Sequence, residues 1–263
     1  MARVLLAEDD EVVRRMVSAL LKKRGFEIEI APDGKTAILT ALTWRPHAVL
    51  MDILMPDVDG LTAVSVFRKI DALRDIPIIM LTSMNTKDKV LEAIQRGAQE
   101  YIVKPIDDIE MLSEKIDKVT AHKVDSDKPI YENLAYRLTS KRDALRVHLA
   151  EAVTLDSAKD LARLVEALRP LQPIRIELDF GEVKDLAGAA VPILSEIRET
   201  ILDDAGAVEL SHFTALRDTA IGRKLHDSFL DPSRTAGKSR QKNSGAGSPS
   251  PAPNQPSNFL ILS

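Results

Sequence analysis

Apolar residues fall along this chain in two alternating periods. Val4, Leu5, Leu6 and Ala7 form a continuous apolar run that stops at Glu8, Asp9 and Asp10, the pattern of a buried strand ending in acids. Val12, Val13, Met16 and Leu20 then recur at helical spacing, and Gly25 follows as a stop signal. The strand and helix patterns keep alternating: strands over 26–30, 48–51, 78–81 and 101–103, helices over 36–42, 61–70, 90–94 and 108–119. Pro46 is expected to end the second helix, and Pro77 stands where the start of a strand tolerates proline. Five strands alternating with five helices predict an α/β fold, a doubly wound parallel sheet covered on both faces.

Beyond residue 121 the periodicity breaks. The polar stretch 122–130 (HKVDSDKPI) reads as a linker, and all seven methionines precede it. A second, smaller α/β region is expected over 131–230. There, 145–168 begins as a strand and becomes a helix, with Asp156 or Ser157 as its N-cap. Ile174, Ile176, Leu178 and Phe180 alternate as a half-buried strand. A helix follows, starting near Ala187, Gly188 and Ala189, then a strand over 207–213 and a last helix near 215–225. Residues 231–263, rich in Ser, Pro, Gly, Ala and Lys, cannot bury enough apolar surface to order themselves and are expected to be a disordered tail.

Composition narrows the functional classes. With no cysteine among 263 residues, disulfides and thiolate metal sites are excluded. No basic segment leads into an apolar one at the start, and no apolar run approaches the ~20 residues needed to cross a bilayer. A cytoplasmic protein is the expectation. The net charge of −4 is mild, but 131–230 holds 13 Lys and Arg against 17 Asp and Glu. A DNA-binding output region needs a basic face for phosphates, and this one is acidic.

The candidate chemistry lies at the strand ends. Glu8 and Asp9 follow the first strand, Asp52 the third, Thr82 the fourth and Lys104 the fifth. In open parallel sheets these carboxyl ends are where ligands bind. Gathered carboxylates repel one another, and a divalent cation with oxygen ligands relieves this, Mg²⁺ being well suited. A carboxylate beside such a cation, a hydroxyl and an ammonium can accept a phosphoryl group: Asp52 attacks in line, Lys104 neutralises equatorial oxygens and Thr82 donates a hydrogen bond.

The order AEDD, MDILMPDVDG, LTS, YIVKP resembles the receiver domain of bacterial response regulators, a flavodoxin-like (βα)5 fold, over residues 1–121. That resemblance implies Glu8 and Asp9 as the metal-binding acidic pair, with Asp52 and the backbone carbonyl of Leu54 completing the protein ligands. It implies Asp52 as phosphoacceptor, Thr82 as switch hydroxyl, Tyr101 as switch aromatic, and a cis peptide between Lys104 and Pro105. A sensor histidine kinase is the implied phosphoryl source. Positions two beyond the acceptor and two beyond the switch hydroxyl tune phosphoryl loss in this family. Here they are Leu54 and Met84, neither able to orient a water, so slow autodephosphorylation is expected.

The element order of 131–230 resembles the STAS domain of anti-sigma factor antagonists. In those proteins a serine at a helix start near 187–189 is phosphorylated, but no Ser or Thr occurs between Phe180 and Ser195. The resemblance implies output by protein–protein binding, to an anti-sigma factor or a switch kinase, under the control of Asp52. The alternatives are a DNA-binding regulator, a phosphate sink or motility-linked regulator whose second region mediates homodimerisation, and an enzymatic output. No catalytic constellation favours the last. His148, His212 and His226 show no metal-ligand spacing and are expected to be structural or exposed.

Overall fold

The computed structural model describes residues 1–82, 87–121, 136–141 and 144–230. The expected linker over 122–130, the tail over 231–263 and Met84 lie outside them. The chain divides into two units, the first reaching through the fifth helix and the second holding the elements from residue 144 onward.

The first unit alternates β1 (Arg3–Ala7), α1 (Glu11–Lys23), β2 (Glu27–Ala31), α2 (Gly34–Trp44), β3 (Ala48–Asp52), α3 (Gly60–Lys69), β4 (Ile78–Thr82), α4 (Lys87–Gln95), β5 (Glu100–Val103) and α5 (Ile109–Ala121). The strands are parallel in the order β2-β1-β3-β4-β5. The three central strands are covered on both faces, which is why they read as unbroken apolar runs. Edge strands β2 and β5 keep exposed positions instead. The chain leaves β1 toward β2 on one side and returns to β3 on the other. A crevice therefore opens between the carboxyl ends of β1 and β3.

Aspartates start four of these helices, Asp108 doing so for α5 by accepting from Met111 N at 2.9 Å. Asp10 accepts from Val12 N and Val13 N at 2.8 and 3.0 Å, Asp33 from Thr36 N at 2.7 Å and Asp59 from Thr62 N at 2.7 Å. The second helix outruns its expected end. It continues to Trp44 and stops because Arg45 turns left-handed at φ 55°, before Pro46 is reached.

Next comes β6 (Tyr136–Lys141), of which Tyr136 and Arg137 fall in the second unit, and that unit then contains β7 (Ala144–Leu149), β8 (Ala152–Val153), α6 (Leu155–Leu168), β9 (Arg175–Asp179), β10 (Asp185–Leu186), α7 (Val191–Asp203), β11 (Ala207–Ser211), α8 (Thr214–Arg217) and α9 (Ala220–Leu230). Its main sheet runs β11-β9-β7-β6, with β7, β9 and β11 mutually parallel. Side chains alternate across it. Leu145, Val147, Ile176, Leu178, Val208 and Leu210 are buried on one face, with α7 packed against β11 and flanked by α6 and α9. The other face carries Arg146 paired with Glu177 at 2.7 Å and Arg175 with Glu209 at 3.3 Å.

Three expectations here need correction. The N-cap of α6 is Thr154, not Asp156 or Ser157; Ser157 sits at the third helical position and bonds back to Thr154 N at 2.8 Å. The helix expected from 187–189 begins at Val191, because β10 is drawn onto β8 and Ala187 N donates to Val153 O at 2.9 Å. The last helix is broken into α8 and α9, with the Thr219 hydroxyl accepting from Gly222 N at 2.9 Å. A Cβ at Gly222 would lie 1.7 Å from Leu216 O, so this turn needs glycine.

Candidate functional site

Parallel register brings the residues singled out after β1, β3, β4 and β5 to one edge of the first sheet. Asp52 closes β3, paired with Leu81 of β4, and Thr82 closes β4, paired with Val103 of β5. Lys104 N donates to Thr82 O at 2.7 Å, which holds the lysine beside the two central strands. Glu8 N donates to Ala31 O at 3.0 Å, and Arg14 Nη1 donates to the carbonyls of Glu8 and Asp9 at 2.6 and 3.0 Å. The acidic turn after β1 is thus fixed by its backbone. Asp10, third acid of the run, serves the α1 N-terminus, and its two backbone N–H bonds hold its carboxyl below the ordinary range.

Charge is concentrated in little space. Glu8, Asp9 and Asp52 bring ligand oxygens within 4.8 Å of one another, with Glu8 and Asp52 buried and Asp9 exposed. Lys104 Nζ lies between the two buried acids, donating to Asp52 Oδ2 at 2.8 Å and ion-paired with Glu8 Oε2 at 2.7 Å. Burial pushes the Glu8 carboxyl up, a push that the Lys104 contact opposes and the Asp52 charge reinforces. For Lys104, burial works against the ammonium, but the bonds to Asp52 and Glu8 outweigh it and hold its pKa above the usual lysine value. One ammonium against three carboxylates leaves the cluster about two charges negative. An all-oxygen donor set with that residual charge fits a hard divalent cation.

The loop beyond Asp52 is shaped around it. Leu54 N approaches Asp52 Oδ1 at 3.4 Å, Asp57 is left-handed at φ 60°, and Gly60 N donates to Ile53 O at 3.1 Å. A Cβ on Gly60 would lie 2.0 Å from Asp52 O, so only glycine lets α3 start this close to the acceptor strand. Thr82 is buried, while Tyr101 on edge strand β5 is 43% exposed. The Lys104–Pro105 peptide is cis, as the resemblance implies.

The structure also assembles a cluster that the residue spacing conceals. His148 Nδ1 and His212 Nδ1 each lie 2.8 Å from a different oxygen of Asp179, and Gly181 N donates to that carboxylate at 2.9 Å. The three residues are 31 and 33 positions apart, so the only linear signal was the shared place of His148, Asp179 and His212 at the ends of parallel strands.

A family model, the response regulator receiver domain, matches residues 4–117. The chemotaxis protein CheY of Bacillus subtilis is 39% identical over 104 residues, covering 39% of this chain and 85% of CheY. The response regulator PleD of Caulobacter vibrioides is 31% identical over 123 residues, 47% of this chain but 27% of PleD, so the chain spans about a quarter of that relative. The solved structure of Vibrio cholerae CheY4 is 34% identical, covers 45% of this chain and 98% of its own, and has a TM-score of 0.43. Identical at 39% to a protein that it matches over most of that protein's length, this chain belongs, through its first unit, to the response-regulator receiver family.

Proposed function

We propose that the chain is a two-component response regulator in which Asp52 takes a phosphoryl group from a sensor histidine kinase and the second unit passes the signal on by binding a protein. The observation that carries the first half is Lys104 Nζ, held 2.8 Å from Asp52 and 2.7 Å from Glu8 with the buried Thr82 on the adjoining strand. Asp52 presents a carboxylate nucleophile at the crevice. Lys104 is placed to neutralise charge on incoming phosphoryl oxygens, and Thr82 to donate to one of them. Glu8, Asp9, Asp52 and the Leu54 carbonyl would hold Mg²⁺, which supplies further charge neutralisation at the phosphoryl oxygens. Tyr101, exposed on the edge strand, is the side chain through which the change at Thr82 reaches the surface formed by α4, β5 and α5.

For the second unit, a strand pair followed by alternating helices and parallel strands supports the STAS-like reading, as does a sheet with one apolar and one polar face. Its acidic composition favours a protein partner, an anti-sigma factor or switch kinase, over DNA. The receiver match supports a cytoplasmic placement, and no helix among the described residues is long and apolar enough to cross a membrane.

Phosphorylation with acetyl phosphate tests the first half: one hydroxylamine-sensitive phosphoryl group per chain, dependent on Mg²⁺ and lost in Asp52→Asn. For the output, partners captured by beryllofluoride-loaded protein are compared with those captured by Asp52→Asn. Equal capture by both forms would overturn switch-controlled binding.

A further inference from the structure

His148, Asp179 and Ser211 stand in register across β7, β9 and β11 at the carboxyl end of the second sheet, and His212 is the next residue along the chain. Asp179 is 8% exposed, and its carboxyl lies below the ordinary range. Burial opposes that shift; the Gly181 N–H and the His212 and His148 contacts produce it. The carboxylate is therefore ionised and held from three directions. His212 differs from its neighbour: 66% of its side chain is exposed, against 18% for His148.

Direct metal chelation does not suit this cluster as it stands. Among the described residues, the group of three or more ligand residues with donor atoms within 4.8 Å of one another is Glu8, Asp9 and Asp52, not this one. The imidazoles approach separate oxygens of one carboxylate, the arrangement that fixes a tautomer. With Nδ1–H of His212 donated to Asp179, the ring's free lone pair lies on Nε2.

The ring is also held in place. His212 is left-handed at φ 54°, and the following Phe213 is buried edge-on against Phe180 with centroids 5.0 Å apart. A Cβ built on Gly181 would lie 3.6 Å from both Cβ and Cγ of His212. The imidazole thus sits over the start of the loop between β9 and α7, the segment that contains no Ser or Thr.

We propose that Nε2 of His212 is a second phosphoryl acceptor, charged by an acyl phosphate, with Asp179 as its positioning residue. This rests on the reading of Asp52 as an acceptor only for its physiological donor, the Asp52 acyl phosphate of the same or another chain. The Nε2 lone pair attacks phosphorus, the P–O bond to the donor carboxylate breaks, and the carboxylate leaves with the electron pair. No proton is lost: Nδ1–H stays shared with Asp179, which balances the positive charge on the substituted ring.

Phosphoramidate, which charges imidazoles without an enzyme, separates this proposal from the one above. In the full-length Asp52→Asn protein it is expected to give an acid-labile, alkali-stable phosphoryl group on His212, located by mass spectrometry and absent from Asp52→Asn/His212→Gln. Asp179→Asn should slow charging about tenfold and shift its pH profile, an effect that loss of fold alone would not produce. A far-UV spectrum and melting temperature matching the parent protein show that His212→Gln is folded. Charging spread evenly over the other histidines, or a rate unchanged in Asp179→Asn, overturns the proposal. Loss of acetyl phosphate labelling at Asp52 would overturn the earlier reading while leaving this result standing. With acetyl phosphate as donor, wild-type protein should show both labels, and a protein labelled at Asp52 but never at His212 overturns the proposal.

Discussion

Replacing Lys104 by methionine keeps most of the stem's volume and removes the one ammonium between Glu8 and Asp52. Breaking a buried ion pair by deleting one partner costs about 3–5 kcal/mol. The lysine side chain is 22% exposed, so solvent screens part of its charge and the expected loss at pH 7.5 is on the order of 2–3 kcal/mol. The sign of the pH dependence follows from Glu8. Its carboxyl is already raised by burial, so the folded state favours its proton; that contribution is present below the ordinary carboxylate pKa and fades as pH rises through the raised value. Without Lys104 the raising increases, because a lowering influence has gone. The variant should therefore lose most at pH 7.5 and less at pH 5, since Glu8 takes up its proton as the pH falls. Urea unfolding in EDTA at both pH values measures this. Adding Mg²⁺ at 10 mM should recover more stability in Lys104→Met than in wild type, since the cation replaces the missing positive charge. A loss that is equal at both pH values, or larger at pH 5, would refute the electrostatic account, as would the same Mg²⁺ response in both proteins.

Other perturbations probe the remaining contacts. Gly60→Ala forces a Cβ to within 2.0 Å of Asp52 O, and a loss of about 1–3 kcal/mol in urea melts, with slower acceptance of phosphate, is expected. Leu54 is half-exposed beside Asp52 and offers no group to orient water, so the phosphorylated protein should decay over minutes or longer. Leu54→Asn should shorten that half-life about tenfold, the ~1.4 kcal/mol of one well-placed hydrogen bond, followed by phosphate release. Asp179 lies below the ordinary carboxylate range, so its stabilisation is present above that range and is lost as pH falls through the depressed value. Asp179→Asn should cost about 1–3 kcal/mol at neutral pH and flatten the acid limb of the stability profile, read by urea melts between pH 3 and 7. Thr154→Ala, which removes the Thr154 hydroxyl's half of the α6 capping box and leaves the backbone N–H bond to Ser157, should cost about 1 kcal/mol in the same assay.

How much could be read from the order of residues alone depended on whether the information was local. Runs such as Val4–Ala7 and Ile78–Leu81 announce a parallel sheet, because a strand covered on both faces has no polar side to show. The acidic site was legible for the same reason: strand order places each strand's last residue at one edge, so Glu8, Asp9, Asp52, Thr82 and Lys104 could be gathered on paper. Tertiary structure decided what those residues do to one another. Only packing shows Lys104 between two buried carboxylates, Asp10 turned away to cap α1, and Gly60 pressed against the Asp52 carbonyl.

In the second unit, long-range pairing overrode local preference. The short ladder between β8 and β10 delayed the start of α7, and Thr219 divided the last helix. His148, Asp179 and His212 are marked along the chain only by their place at the ends of strands. Their shared carboxylate exists because β7, β9 and β11 lie parallel and in register, and register depends on the packing of the whole sheet rather than on any one stretch of sequence.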